Sequence, residues 1–388
     1  MSDHRNSSVD HLQVIGFGAA ALGIPIAADR QGRLTDLLGR GCVFFDSRRP
    51  REWTSLGYDI LSNSAGADFL VGIDPAGAFA EALDTPQARS LLAAGTRPVP
   101  LPTASVFLHD LAGRVAEHLA GLGDEVRFGS RVDHIVVEPG GVFRSHDAQG
   151  RTLARSRHAV LAVGAAPRPA GAGWLTSEAF LRGHCLTHAK TAVAEGHRIR
   201  IVGGSHSAFS VAGMVLREWG DELTTGQVWI DARRPVRLYG ANLKDRHSPA
   251  DVVDPDTGEV NRFCGLRGPA RDLYQAVVRG DERRVLLTEG GGEPRPAVRP
   301  ELTVSAQGYR ARPVPVRTEQ GEVLVGPTDP AVDRDGRLLD ARTGNPVPGL
   351  FALGLGYRHI APDGTAGYPR AALNIFHGDA ADRILATL

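Results

Sequence analysis

The chain has 388 residues, of which 42% are hydrophobic and 23% are charged, and 44 basic residues balance 44 acidic ones. This composition is typical of a folded globular protein and excludes a disordered one. The zero net charge gives no field that would favour nucleic acid or a membrane surface, so the expected partner is a small molecule. Three widely spaced cysteines argue against a disulfide scaffold or a thiolate zinc site, and no metal is expected.

The N-terminal segment MSDHRNSSVDH is polar and lacks the apolar core of a signal peptide. No apolar run approaches the roughly 20 residues that span a bilayer. We therefore expect a cytoplasmic protein that does not bind membranes. The sequence is also compatible with a homo-oligomer.

The first predicted unit is a strand, a glycine turn and a helix. The apolar run at 12–15 leads into Gly16-x-Gly18-x-x-Ala21 and an alanine-rich stretch. In such a turn the first glycine permits the tight bend, the second lets the backbone approach a diphosphate, and the helix N-terminus attracts its charge. Asp46 ends the next predicted strand, CVFFD, where a carboxylate binds ribose hydroxyls. This βαβ unit predicts a dinucleotide site; a glycine turn without a nucleotide is the alternative.

The middle of the chain has patterns typical of loops, of a helix at 106–123 and of strands in which apolar and polar residues alternate. These strands end in AVLAVG, whose last residue is Gly164, and a Pro- and Gly-rich linker follows at 165–173.

A second strand-turn-helix unit begins at RIRIVGG. Its turn contains Gly203 and Gly204, then Ser205 in the middle glycine position, and Ser207. Arg233 and Arg234 follow the next strand, VWIDARR, at the place where cations accept the 2′-phosphate of NADP. Asp231 in the same segment would suit NAD. We therefore expect NADPH, with NADH or a purely structural unit as the alternatives.

Two dinucleotide turns in one chain would be redundant if each served separately. Together they predict FAD on the first turn and NAD(P)H on the second, with hydride passing where the two units meet. The C-terminal part adds a buried strand, LFALGLG, which contains Gly354 and Gly356, and a final helix.

Several short segments, in the same order along the chain, carry a family resemblance. They are REWTSLG around Trp53, DFLVGIDP at 68–75, LTHAK with His188, GGSHSAF with His206 in a glutamine position, the segment with Asn261 ahead of a Phe, SAQGYRARP at 305–313 and GLFALGLG. This succession resembles the class B flavin-dependent monooxygenases, and within them the N-hydroxylating enzymes that act on ornithine, lysine and related amines.

The resemblance implies a fold and a set of site residues. The fold is α/β, with two nested Rossmann-like dinucleotide-binding domains. Residues 1–189 and 309–388 would form the FAD domain, and 190–308 the inserted NAD(P)H domain with a substrate-site segment around 240–275. Trp53, Gly164, Gly354 and Gly356 would lie near FAD.

The resemblance also implies a reaction. NADPH reduces FAD, dioxygen adds to the reduced flavin at C4a, and the hydroperoxide hydroxylates the nitrogen of a small amine or amino acid. His188 and Asn261 are the candidate catalytic residues; for His188 the alternative is a structural histidine. A flavin-dependent NAD(P)H reductase without oxygenation and a degenerate, non-catalytic flavoprotein are the alternative functions.

Overall fold

The computed structural model describes residues 9–52, 56–249, 251–254, 257–290, 301–312, 314–326, 328–360 and 372–388, so Trp53 lies outside the described residues. The strands, in chain order, are β1 (Asp10–Ile15), β2 (Cys42–Asp46), β3 (Leu61–Ala65), β4 (Pro98–Pro100), β5 (Glu125–Phe128), β6 (His134–Val137), β7 (Phe143–His146), β8 (Thr152–Leu161), β9 (Ala165–Pro167), β10 (Leu175–Thr176), β11 (Arg198–Val202), β12 (Val228–Ala232), β13 (Val285–Glu289), β14 (Glu301–Ser305), β15 (Tyr309–Ala311), β16 (Val316–Thr318), β17 (Val323–Val325), β18 (Ala331–Val332), β19 (Arg337–Leu339), β20 (Pro346–Ala352) and β21 (Arg358–His359). The α-helices are α1 (Gly23–Arg30), α2 (Leu34–Gly39), α3 (Pro86–Ala94), α4 (Leu101–Gly121), α5 (Ser177–Leu181), α6 (Leu186–Ala194), α7 (His206–Trp219), α8 (Gly268–Arg279), α9 (Leu373–Phe376) and α10 (Asp379–Thr387).

A twelve-stranded sheet is built around β1, which pairs in parallel with β2 and β8. Residues 11–15 of β1 are all buried because both faces of the sheet are covered. Leu12 and Val14 pack in a cluster with the helices, whereas Ile15 belongs to a cluster on the opposite face. Gln13 is fully buried as well, and its amide donates to the Phe143 carbonyl at 3.0 Å.

A second, five-stranded sheet has the order β10-β14-β11-β12-β13, and all its strands are parallel. Ile199 and Ile201 pack in one apolar cluster with residues of the helices around this sheet. Between them in the sequence, Arg200 points to the other face, where its guanidinium lies 4.7 Å from the centre of the Trp229 ring. The predicted α/β fold with two Rossmann-like units is confirmed.

Two short strands connect the two sheets. β9 leaves the large sheet and pairs in antiparallel fashion with β15, which returns to it, so that Tyr309 lies opposite Pro167. The elements β10 and α5, which precede the predicted boundary at 190, and α6, which crosses it, pack with the five-stranded sheet. The division of the chain into domains stays a prediction, and this packing favours a start of the inserted unit near 175.

The first helix begins later than the motif predicts. Residues 19–22 form a turn, and α1 starts at Gly23, which places Pro25 in the first helical turn. A proline at this position interrupts no intrahelical hydrogen bond, so it shortens the helix rather than kinking it. Among the described helices, none is both long and apolar enough to cross a bilayer.

Candidate active site

The first glycine turn follows β1 at the centre of the large sheet. Gly16 has φ +99°, and a Cβ at this position would lie 2.2 Å from the carbonyl oxygen of Ala162, so only glycine fits. A Cβ on Gly18 would have its nearest neighbour, Arg48 Nη2, at 3.8 Å, which leaves the turn open on that side. Ala21 is fully buried beneath it. The turn therefore provides the cradle that a diphosphate requires.

Asp46 lies beside this turn at the end of β2. The carboxylate is 3% exposed and accepts hydrogen bonds from the backbone N–H of Phe17 at 3.1 Å and of Arg48 at 2.8 Å. The Arg48 side chain also binds it, through Nη2 at 2.7 Å. Sequence reasoning missed Arg48, which brings a cation to the open side of the turn.

The glycines of the C-terminal strand approach the same region. Gly354 follows β20, and a Cβ at this position would lie 3.4 Å from the Cβ of Ala20, within the first turn. Gly356 packs against the backbone of Ala311. Gly164 is exposed, and its carbonyl accepts a hydrogen bond from the Arg312 N–H at 3.1 Å. Residues from both ends of the chain thus surround the predicted flavin side of the molecule.

The second glycine turn follows β11. Gly203 has φ +138°, and a Cβ there would lie 2.3 Å from the Ala306 carbonyl oxygen, so this position also requires glycine. Gly204 packs against Ala232. Ser205 is exposed, and its side chain makes no capping hydrogen bond to α7. Ser207 is half-buried in the first turn of α7.

The charged residues at the end of β12 differ in whether another described side chain already forms an ion pair with them. Asp231 is engaged by Arg200, whose Nη2 lies 2.5 Å from its Oδ2. Arg233 and Arg234 are exposed, and within the described part of the chain neither forms an ion pair. The strand end therefore offers two cations rather than a carboxylate.

A cavity of about 520 Å³ lies next to the second turn. One wall comes from the region of β3 and β4, one from the segment 239–271, and a third from the start of α9. The lining residues are Asn63, Ser64, Ala65, Asp68, Thr96, Pro98, His206, Tyr239, Glu259, Arg262, Phe263, Gly265, Arg267, Gly268, Arg271, Ala372 and Asn374. The predicted substrate segment 240–275 thus contributes much of the lining.

His206, the first residue of α7, is a neutral hydrogen-bonding group in this cavity. Burial lowers its pKa to about 4, so the imidazole is uncharged at pH 7. Its Nε2 donates to the Gly265 carbonyl at 2.9 Å, which leaves Nδ1 as an acceptor. Nδ1 of His206 and Oδ1 of Asn374 are buried, and neither has a hydrogen-bond partner among the described residues. Buried acceptors of this kind usually have a partner, so these two mark the wall of the cavity as incompletely satisfied among the described residues.

The two predicted catalytic residues do not line the cavity. Asn261 is buried, and its amide donates to Leu238 O at 2.9 Å and Asp251 Oδ1 at 2.8 Å while its Oδ1 accepts from Val252 N at 3.1 Å. These bonds saturate the amide and fix the loop that carries the cavity wall. His188 is exposed on α6. A catalytic role for either residue stays a prediction.

Sequence reasoning missed Tyr239, Asp68 and Asn374 as residues of the cavity. They come from three distant parts of the chain; Asp68 begins the segment DFLVGIDP, which gave no sign of a place in the cavity, and Tyr239 and Asn374 belong to none of the segments quoted above. For Tyr239, the only signal was its place at the start of the predicted substrate segment.

No protein-family model matches the chain. The chain is 30% identical over 411 residues to the CMP-5'-(3-aminopropyl)phosphonate hydroxylase of Streptomyces rubellomurinus, and the match covers 92% of this chain and 91% of that protein.

Solved structures share the fold across nearly the whole chain. They include the L-lysine 6-monooxygenase of Pseudomonas syringae (16% identity, TM-score 0.62, 97% of this chain and 98% of that one). The cadaverine monooxygenase of Erwinia amylovora has a TM-score of 0.63 at 14% identity, with 98% and 94% of the chains covered. The Kutzneria ornithine N-hydroxylase has a TM-score of 0.56 at 16% identity, with 98% and 99% covered.

The match to the hydroxylase covers most of both chains, and the fold shared with the solved structures agrees with it. The resemblance predicted from the short segments is therefore confirmed. The chain belongs to the N-hydroxylating group of the class B flavin-dependent monooxygenases.

Proposed function

We propose that this monooxygenase binds FAD at the Gly16 turn and NADPH at the Gly203 turn, and that it hydroxylates the nitrogen of a primary amine. An amine RNH2, dioxygen, NADPH and a proton would give RNHOH, water and NADP+. The observation that carries the proposal is the 30% identity to a hydroxylase over nearly the full length of both chains. The cavity beside the second turn gives the amine a place to bind.

The residues of the first turn fit FAD. The open side of Gly18 leaves room for the diphosphate, and Arg48 adds a positive charge there. For Asp46 to accept the ribose hydroxyls, the Arg48 side chain would have to release its carboxylate. Gly354 would let the isoalloxazine approach the backbone. Bound FAD supplies the redox chemistry, which no side chain of the protein can provide.

The end of β12 supports NADPH rather than NADH. A free carboxylate would bind the ribose hydroxyls of NADH, but Asp231 is held by Arg200. Arg233 and Arg234 are exposed and present two cations for a 2′-phosphate. The electron donor of the Kutzneria relative, whose structure contains NADP+, is of the same kind.

The cavity supports a primary amine as substrate. The names of the relatives specify lysine, ornithine, cadaverine and an aminopropyl phosphonate, and each of these compounds has a terminal amine. In this chain, His206 and Asn374 line the cavity and have unpaired acceptors, Nδ1 and Oδ1, which would accept hydrogen bonds from the amine N–H groups after a small movement of each side chain. A neutral amine held in this way keeps its nitrogen lone pair available for hydroxylation.

Four other expectations from the sequence stay predictions: the cytoplasmic location, the absence of a nucleic-acid partner, a homo-oligomeric state and the domain boundaries. Size-exclusion chromatography of the FAD-loaded protein would measure the oligomeric state.

The test of the function is a coupled assay on purified protein. We expect a yellow protein whose NADPH oxidation is stimulated by an amine, with one hydroxylamine formed per NADPH consumed at full coupling. NADPH oxidation that reduces dyes but yields no hydroxylamine would identify a reductase. Failure to take up FAD would contradict both functions and indicate a degenerate flavoprotein.

A further inference from the structure

Two arginines in the cavity wall are held by an aromatic ring and by backbone carbonyls. Arg267 stacks on Tyr239, with its guanidinium carbon 3.6 Å from the ring centre, and its Nη2 donates to the Arg262 carbonyl at 2.7 Å. Arg271 donates to the Tyr239 carbonyl at 3.3 Å. Neither forms an ion pair with a carboxylate in the described ranges. A partly buried cation that is not paired with a carboxylate is stabilised when an anion binds next to it.

The neighbouring arginine shows the contrast. Arg262 is 2.9 Å from Glu259 and 3.4 Å from Asp254, so its charge is neutralised within the protein. Glu259 is also held by the Tyr239 hydroxyl at 2.5 Å. Asp68, on the side of β3, also lies close enough to act on the charge of Arg267. The lining therefore has three arginines, Arg262, Arg267 and Arg271, against the two carboxylates of Asp68 and Glu259, which leaves it net positive.

The start of α8 adds to this positive wall. The helix begins at Gly268, which lines the cavity, and Arg267 at the preceding position provides no side-chain cap. The first turn contains no acidic residue. The free N–H groups and the dipole of such a helix start favour an anion.

The number of donors favours a phosphoryl group over a carboxylate. Two guanidinium groups and a helix N-terminus approach the same wall, whereas a carboxylate has only two oxygens to accept their hydrogen bonds. A phosphoryl or phosphonyl group has three oxygens in a tetrahedral arrangement and a higher charge. The stacking of Arg267 on Tyr239 fixes the plane of the guanidinium and so reduces the entropy lost on binding.

Acceptors occupy other parts of the cavity. Asp68 and Asn63 line it from the side of β3, and His206 and Asn374 line it from α7 and α9. The same cavity thus has both cations and hydrogen-bond acceptors in its lining, as a ligand with an anionic group and an amine requires. The volume of about 520 Å³ is in the range of small-molecule sites.

We propose that the substrate is an alkylamine attached to a phosphoryl or phosphonyl group, and that Arg267, Arg271 and the start of α8 bind this group. The inference rests on the proposed N-hydroxylation and names its substrate class. The name of the Streptomyces relative, a hydroxylase for an aminopropyl phosphonate ester, is consistent with it. The phosphates of NADPH are the other source of this chemistry, because His206, at the start of the helix that follows the Gly203 turn, lines the same cavity. The dependence of flavin reduction on NADPH concentration distinguishes the two sources.

The experiment compares 3-aminopropylphosphonate, free and as its CMP ester, with 4-aminobutanoate, which has the same chain but a carboxylate. Binding to the FAD-loaded protein is measured by calorimetry, and hydroxylamine formation and anaerobic flavin reduction by NADPH are measured in parallel. The variants are Arg267→Met, Arg271→Met and the charge-conserving Arg267→Lys. Arg279→Met, at the exposed far end of α8, is the matched control.

We expect at least one of the two phosphonates to bind about tenfold or more tightly than the carboxylate, in line with a charge-assisted hydrogen bond. Arg267→Met and Arg271→Met should remove this preference, Arg267→Lys should keep part of it, and Arg279→Met should keep all of it. For the control Arg279→Met, flavin reduction without amine should stay within about twofold of that of the parent enzyme, since Arg279 lies outside the cavity lining.

Equal binding of carboxylate and phosphonate would overturn the proposal. So would methionine variants that lose affinity for NADPH and keep affinity for the amine, because the arginines would then bind the phosphates of the cofactor. Arginine-dependent phosphonate binding without hydroxylamine formation would support the anion site and would overturn only the N-hydroxylation.

Discussion

At the scale of single residues, the two turns depend on glycines that approach a neighbouring carbonyl. Gly16 lies against Ala162, and Gly203 lies against Ala306. In each case the neighbour is the residue that follows the adjacent parallel strand, so it cannot move without distorting the sheet. The glycines are therefore required by the fold and by the ligand together.

Gly203→Ala tests this requirement. The new methyl group would collide with the Ala306 carbonyl, and we expect a loss of NADPH-dependent flavin reduction of about tenfold or more and a stability loss of about 1–3 kcal/mol. FAD content should be retained. Stopped-flow reduction and thermal unfolding measure these effects.

Gly213→Ala is the matched control in the same unit. Gly213 lies within α7, and a Cβ there meets no atom within 4 Å. Alanine is the better helix former by about 0.5–1 kcal/mol, so this variant should be unchanged or more stable. A similar loss of flavin reduction in both variants would contradict the steric argument.

His377 links the C-terminal helices to the first turn. It is fully buried, and its Nε2 donates to the Ala19 carbonyl at 2.7 Å. Burial lowers its pKa to about 4, below its unfolded value of about 6.5. The neutral imidazole therefore contributes full stability above pH 6.5, and this contribution is lost as the pH falls toward 4.

His377→Gln should flatten this pH dependence, because a glutamine amide can still donate to Ala19 but does not titrate. Between pH 6.5 and 5, we expect the free energy of unfolding of the parent to fall by about 1.5 kcal/mol more than that of the variant. Denaturant titrations at fixed FAD concentration measure the difference. Parallel pH profiles would show that His377 is not the titrating group.

At the scale of elements, the sequence predicts those features that depend on a short, continuous stretch of residues. The strand and turn around Gly16 and the carboxylate of Asp46 follow from a short continuous motif, and the structure places them together. The cavity does not follow from such rules, because Asp68, Tyr239 and Asn374 meet only through the packing of separate elements. Asn261 shows the same limit, because a motif predicts which loop contains a residue but not the direction of its side-chain amide.

The end of β12 makes a prediction about cofactor choice. Replacement of both Arg233 and Arg234 by Gln should raise the KM for NADPH by about tenfold or more, since each charge-assisted contact contributes about 1.5–3 kcal/mol. The KM for NADH should change little. Arg279→Gln is the control, and an equal change in both KM values would contradict a role in 2′-phosphate binding.

At the scale of the whole molecule, the loop around Tyr58 joins the two sheets. Tyr58 and Ile60 pack against the apolar clusters of both. The Arg182 guanidinium lies 4.7 Å from the centre of the Tyr58 ring. Arg217 adds an ion pair with Asp59 at 3.1 Å, but both side chains are largely exposed. Apolar packing should therefore dominate the contact.

Tyr58→Ala should weaken this connection. We expect a loss of about 2 kcal/mol, less than for a fully buried aromatic residue, and a calorimetric transition that separates into two as the sheets unfold independently. Arg217→Ala should cost less than about 1 kcal/mol and keep a single transition. Equal effects of the two variants would assign the connection to the ion pair.

The pairing of β9 with β15 has a consequence for the history of the chain. Because the strands that lead into and out of the five-stranded sheet lie side by side, a short turn from Pro167 to Tyr309 would close the remainder without breaking any of its twelve strands. The segment between Pro167 and Tyr309 can thus be inserted, deleted or replaced as one unit. A lineage could change its source of electrons in this way while it keeps its flavin.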